Sequence, residues 1–321
     1  MKGPTMIPTT TSPRAAPREP APAPAPRLTA ARRETLLRLA CLAPPVLLLG
    51  LLVGYPIVET LWLSLTHSSL IHPDPVFVGL ENFAAAAASP TFRTVLLNTL
   101  VWTVLVVALQ FLLGMAAASL LSKRFHGRAV LRVLLVAPWV MPGITAGLLW
   151  KMLEDPYLGP INAVLEGLGL VSGDPAWLAE ESTALLGVVL AAAWKGFPVS
   201  ALMYLAAYQN VPDELREAAR TDGAGPWRVF WHVTLPSMAP TIRTTVLLTT
   251  VWTFNTFDLI YVMTKGGPGV SSEVMSSLIY RTAFVDVDHG AAASYGVVSV
   301  AVLAVFSVLY LRQVRGAGGL R

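Results

Sequence analysis

The apolar runs decide what this chain can become. Residues of about 39–64, 94–121, 130–150, 183–207, 238–263 and 293–311 each read as nearly continuous hydrophobic sequence. About 20 mainly apolar residues cross a bilayer as one helix, because a helix satisfies its own backbone polar groups where there is no water. The pattern therefore predicts an all-α membrane protein with six transmembrane helices. Charge content agrees: 13% of the 321 residues are charged, about half of the ~25% usual in a soluble domain. Several runs contain proline: Pro44, Pro45 and Pro56; Pro138 and Pro142; Pro198. Proline is tolerated in a span where neighbours or a cavity re-satisfy the freed carbonyls, so these kinks point towards a pathway.

Lysine and arginine set the orientation. They gather in four segments. The N-terminal tail holds Lys2, Arg14, Arg18, Arg27, Arg32, Arg33 and Arg38, and the 122–132 loop holds Lys123, Arg124, Arg128 and Arg132. The 208–243 region holds Arg216, Arg220, Arg228 and Arg243, and the C-terminal end holds Arg312, Arg315 and Arg321. The alternate loops hold Arg93, Lys151, Lys265 and Arg281, and Lys195 lies inside a run. The positive-inside rule then places both termini and the 208–237 loop in the cytoplasm. The 151–182 loop, with Glu154, Asp155, Glu166, Asp174, Glu180 and Glu181, lies outside. Although the pI is about 9.3, the basic residues form no amphipathic face, and no nucleic-acid partner is expected. The single cysteine, Cys41, excludes an internal disulfide. Residues 1–35 are rich in Pro and Ala, read as a disordered cytoplasmic tail, and lack the form of a signal peptide. The apolar body spans 36–315, with a short tail at 316–321.

One cytoplasmic interruption is too structured to be a simple connection. Pro212 suits a first helical turn, and Asp213 and Glu214 favour its positive end. Leu215, Ala218 and Ala219 fall on one helical face, and Gly223 stops the helix. Pro226 opens a second helix with Trp227, Phe230 and Trp231 on one stripe, and Pro236 is expected to end it. From pattern alone two readings stand: a loop that covers its own bundle, or a docking element for a cytoplasmic partner.

The residues then carry a resemblance. PDELREAARTDGAGPWRVFWHVTLP (212–236) resembles the EAA loop of ABC-importer permeases: Glu217-Ala218-Ala219, three residues, Gly223, nine residues, Val233 and Leu235-Pro236. FVGLENF (77–83), APWVMPG (137–143), AAWKGFPVS (192–200) and FDLIYVMTKGGP (257–268) resemble the carbohydrate-uptake branch, with TKGGP like the first permease of the maltose and glycerol-phosphate type. The resemblance covers about 36–315 and implies the type I importer permease fold. It implies a heterodimer with a second permease, two copies of a cytoplasmic ABC ATPase, an extracytoplasmic substrate-binding protein and a sugar or polyol substrate. Arg216, Glu217, Ala218, Ala219, Asp222 and Gly223 become the ATPase-coupling positions, with Glu217 a contact and Gly223 the turn. The maltose-type relatives have extra N-terminal spans where this chain has its tail.

Three segments are candidates for the pathway, since transporter sites gather at broken or kinked helices near the midplane. Trp139 and Gly143 flank a double kink; Trp139 suits stacking on a sugar ring or a place in an interfacial tryptophan belt. Lys195, Gly196 and Val199 lie in mid-span; a lysine at that depth is costly and has three open roles, pairing with Asp258, bonding substrate, or facing a water-filled cavity. Thr249, Trp252, Thr253 and Thr256 share a helical face, fit for a polyol or for bonds between helices. Matching positions line the sugar site in maltose-type permeases. There, amides stand at Thr253 and Thr256 and a tyrosine at Val199, so the resemblance implies a substrate class and not a particular sugar.

Rival classes fare worse. Lys195 and Asp258 would suit a proton-coupled carrier, but such a carrier has no use for an EAA loop. HExxH, GxSxG and a phosphate-cradling glycine loop are missing from the sequence. No cofactor, metal or catalytic residue is expected, and ATP hydrolysis falls to a partner. A scaffold subunit would not need kinked, polar spans.

Overall fold

The computed structural model describes Gly3 and residues 28–68, 75–123, 125–173 and 175–318. Most of the expected N-terminal tail lies outside the described residues, as do Arg124, Asp174 and residues 319–321. Contacts divide the chain into a unit of residues 1–56 and a unit of residues 57–321. In the first, α1 (Leu28–Leu49) leads into a π-helical turn at Gly50–Gly54. Cys41 is exposed on this helix.

The second unit takes up the chain within α2 (Tyr55–Ser64). A two-residue hairpin, β1 (Thr66–His67) and β2 (Val76–Phe77), pairs Thr66 with Phe77. Then come α3 (Glu81–Ala88), α4 (Pro90–Ser122), α5 (Arg128–Val140), α6 (Gly143–Leu153), α7 (Pro160–Gly167) and α8 (Ala184–Gln209). The 208–237 loop holds α9 (Asp213–Thr221) and α10 (Pro226–Val229). A second π-helical turn, Phe230–Thr234, runs on into α11 (Leu235–Phe254). The chain ends with α12 (Asp258–Met263), α13 (Met275–Phe284) and α14 (His289–Gly318).

Among the described residues, four helical stretches are long and apolar enough to cross a membrane: Ala40–Ser64, Pro90–Ser122, Ala184–Gln209 and His289–Val314. A fifth is counted if α5 and α6, bent by 101° at their junction, form one span. The bend follows from Pro142, which forces Met141 into an extended conformation (φ −66°, ψ 131°). Pro138 sits inside α5 without breaking it. The expected run at 238–263 is divided: α11 stops at Phe254 and α12 starts at Asp258. Its threonines and prolines keep it below the hydropathy of the other four.

Helix α4 and helix α8 form the central pair. Lipid tails are as apolar as leucine, so close packing and small residues hold such helices together. A Cβ at Gly114 would stand 2.7 Å from the Ser200 Cβ, so glycine permits the approach. Two apolar clusters run along the pair. Trp102, Val106, Val188, Leu259 and Ile260 fill one; Met115, Leu121, Tyr204, Leu205 and Met238 fill the other. The Trp102 indole donates to the Thr253 carbonyl at 3.0 Å and ties α4 to α11. Asn98 donates to the carbonyls of Val270, Ser271 and Glu273, which fastens the 264–273 turn to α4.

One expectation fails here. Pro236 does not end the second loop helix; the chain passes through it into α11. Proline normally clashes with the carbonyl four residues back. The π-helical turn before it widens the spiral, and Leu235 bonds to the Phe230 carbonyl five residues back.

Candidate functional site

A cleft of about 160 Å³ opens between five elements of the second unit. Helix α4 contributes Val106 and Gln110, and α5 contributes Trp139. From α8 come Ala192, Lys195, Gly196 and Val199. Thr249, Trp252 and Thr253 of α11, then Thr256, Asp258 and Leu259, complete the lining. Eight of the nine pathway positions read from the sequence thus come together: Trp139, Lys195, Gly196, Val199, Thr249, Trp252, Thr253 and Thr256. The ninth, Gly143, borders the cleft. A Cβ there would overlap the Asp258 carboxylate, which lies against the first turn of α6. The positive end of a helix dipole favours a carboxylate in that place.

The polar groups of the cleft divide into spent and free. Thr249 donates to the Thr245 carbonyl at 2.9 Å, and Thr256 to the Trp252 carbonyl at 3.1 Å. Both hydroxyls bond back onto α11 rather than between helices, leaving only their oxygen lone pairs for a ligand. Thr253 is buried, and its hydroxyl makes no bond among the described residues. Lys195 is half-buried, and no ion pair among the described residues joins it to Asp258. Trp139 and Trp252 are about half exposed, with ring surface to spare.

Sequence reasoning passed over Gln110. Its amide donates to the Ala192 carbonyl at 3.4 Å and faces the cleft. A Cβ at Gly196 would overlap that amide, so glycine leaves room for the amide to hold this place. The available signal was a lone amide in the stretch 104–118 of α4, whose other residues are apolar.

The 208–237 loop is built differently. Helix α9 carries Asp213 and Glu214 in its first turn and Arg220 in its last, each complementing the dipole. Gly223 adopts φ +80°, and two bonds close the turn: Gly223 N–H to the Arg220 carbonyl and Ala224 N–H to the Ala219 carbonyl. This is a Schellman stop, for which glycine is the favoured residue. Glu217, Ala218 and Asp222 are exposed, Ala219 is half-buried, and Leu215 is 49% exposed. The loop therefore leaves Leu215 and Ala218 uncovered by its own chain. Arg216 turns inward instead. Its guanidinium donates to the Tyr208 carbonyl and to Asp213, and stacks 4.5 Å from the Tyr208 ring. Trp227, Phe230 and Trp231 pack on one another, with Trp227 75% exposed.

A helical membrane body with a polar cleft and a short helix exposed at one end fits one class, the transport permeases. The chain belongs to the family of inner membrane components of binding-protein-dependent transport systems, whose pattern matches residues 110–317. It is an integral inner-membrane permease of the ABC type, a transport component rather than an enzyme, with the type I importer fold. It is 32% identical over 270 residues to a probable ABC transporter permease of Bacillus subtilis, covering 84% of this chain and 92% of that one. It is 30% identical over 280 residues to the trehalose/maltose transport permease MalF of Thermococcus litoralis, covering 87% and 94%. It is 32% identical over 283 residues to the sulfoquinovosyl glycerol transport permease SmoG of Agrobacterium fabrum, covering 88% and 91%. A chain of a bacterial ABC importer of the polysaccharide alginate shares the fold, with a TM-score of 0.77, 20% identity, and 90% and 99% coverage.

Proposed function

We propose that this chain is one of two permeases of an ATP-driven importer for a sugar or related polyol. The observation that carries the reading is the cleft: indoles for ring faces, the free Thr253 hydroxyl, the Gln110 amide and the Lys195 ammonium converge on one space. Flat apolar surface flanked by hydroxyl, amide and cationic groups suits a polyhydroxylated ring. The names of MalF and SmoG, which refer to trehalose, maltose and sulfoquinovosyl glycerol, support this class.

In this reading α9 seats in a cytoplasmic ATPase, with Glu217 as a contact and the Gly223 turn setting its angle. Leu215 and Ala218, exposed here, supply its apolar contact. Arg216 acts from behind, holding α9 to the end of α8 at Tyr208. Two ATPases, a second permease and an extracytoplasmic binding protein complete the assembly. The body has six spans with both termini inside, the broken runs α5–α6 and α11–α12 each counting as one.

Pull-down of tagged chain from native membranes, followed by mass spectrometry, tests the assembly. An ATPase, a second permease and a binding protein are the expected companions. A chain that comes alone, with uptake following a proton gradient rather than ATP, would overturn the reading.

A further inference from the structure

A second pocket, of about 440 Å³, lies beyond the far end of α6, on the outer side by the charge pattern. Its walls come from the chain leaving α6 (Lys151 to Pro156), from residues 176–179, and from the turn after α12 (Thr264, Gly267 and Pro268). Glu154 lines it. That residue is only 4% exposed, its Oε2 is buried without a partner, and its carboxyl makes no hydrogen bond or ion pair among the described residues. The carboxyl lies against Leu178 and Gly187; a Cβ at Gly187 would stand 2.9 Å from Oε2.

A buried carboxyl with no donor is costly, and a chain of this kind has ready remedies that it does not use. Two charged side chains line the pocket with Glu154, both from its own segment. Lys151 is exposed and unpaired with it. Asp155 is occupied in capping the Tyr157 and Leu158 amides at 3.0 and 2.9 Å. The other walls offer Ala176, Leu178, Ala179, Met263 and Thr264, none of them titratable. Thr264 already donates to Ile260 and contacts Ser272.

We propose that this pocket is a socket for a lysine or arginine side chain of the extracytoplasmic binding protein, with Glu154 as its counter-charge. The proposal rests on the importer reading above. Its second support is position. Helix α6 begins at Gly143 against Asp258 of the substrate cleft and ends at Leu153 beside the socket. Helix α12 begins at that same Asp258 and ends at Met263 and Thr264 in the socket wall. The two helices also touch midway, where a Cβ at Gly147 would meet Val262 at 3.2 Å. Socket and cleft are thus opposite ends of one helix pair, and a side chain seated in the first pushes on elements that shape the second.

The test uses the assembled complex in lipid nanodiscs and the binding protein that purifies with it. Burial pushes the Glu154 carboxyl up to about 7, so it is mostly neutral at pH 6 and mostly ionised at pH 8. Wild-type affinity for the binding protein is expected to tighten about tenfold between these values. Glu154→Gln should abolish that slope and weaken binding at pH 8 about tenfold. Ala179→Lys, at an exposed position, should place a competing ammonium in the socket and weaken binding at pH 8 comparably. Equal affinity of wild type and Glu154→Gln at both pH values would overturn the socket and leave the importer reading intact. A wild-type complex that binds no binding protein at any pH would overturn both.

Discussion

The cleft and the 208–237 loop are made in opposite ways. The loop is continuous in sequence: Arg216 to Gly223 spans eight consecutive positions, held by local bonds and, apart from Arg216 and Ala219, exposed. The cleft is discontinuous, with α4, α5, α8, α11 and the start of α12 each giving a few side chains, and it exists only while those helices stay packed. A surface that must fit a separate partner tolerates change in its surroundings. A cavity among helices does not, because its walls are also the packing of the bundle. Substitutions should therefore fall into two kinds, those that break the cleft by breaking the bundle and those that silence the loop in an intact protein.

The largest effect is expected for Gly143→Leu. Its Cβ would overlap the Asp258 carboxylate, which must leave the first turn of α6, and the rest of the leucine then presses α6 away from α12. Uptake should vanish, and the detergent-solubilised protein should elute broadly or aggregated on size exclusion. A monodisperse, transporting variant would show that the α6–α12 contact is not needed.

Next is Glu217→Lys, which reverses charge on an exposed side chain. The protein should stay monodisperse while stimulated ATPase activity and uptake fall by about a hundredfold, in the range of a lost charged hot spot. Normal uptake would remove Glu217 from the coupling surface.

A smaller effect should separate two neighbouring threonines. Thr253→Val removes a hydroxyl free for a ligand, whereas Thr249→Val removes one already bonded to its own helix. Loss of one neutral hydrogen bond costs about 1 kcal/mol, or about fivefold in the half-saturating substrate concentration. Thr253→Val should show that rise and Thr249→Val little. The reverse order would mean that substrate approaches a different part of α11.

How far the sequence revealed each region follows from the same contrast. The loop was legible because caps, dipole charges and the Gly223 stop are local chemistry. What it did not reveal was the direction of Arg216, since packing against Tyr208 depends on where α8 ends. Pro236 misled for a related reason: whether a proline ends a helix depends on whether the preceding turn can widen, and here a π turn does so. In the cleft, Lys195, the kink prolines and the threonine face stood out as polar or broken features in apolar runs. Gln110 was overlooked because α4 shows no kink, and its inward aim is fixed by Gly196 on a different helix. The buried state of Glu154 was beyond the sequence, where it reads as one of several acidic residues in an outer loop.

Helix α4 runs for 33 residues, which at 1.5 Å per residue is about 50 Å, against a hydrocarbon layer of about 30 Å. Such an excess is accommodated by leaning, by standing clear of the lipid, or by thickening the membrane around it, each at a modest cost per ångström. Because α4 is the helix on which α8 is seated, any change in its lean also changes the angle at which α8 delivers Lys195 and Gly196. Acyl-chain length thereby becomes a mechanical load on this permease, borne by the strut at its centre.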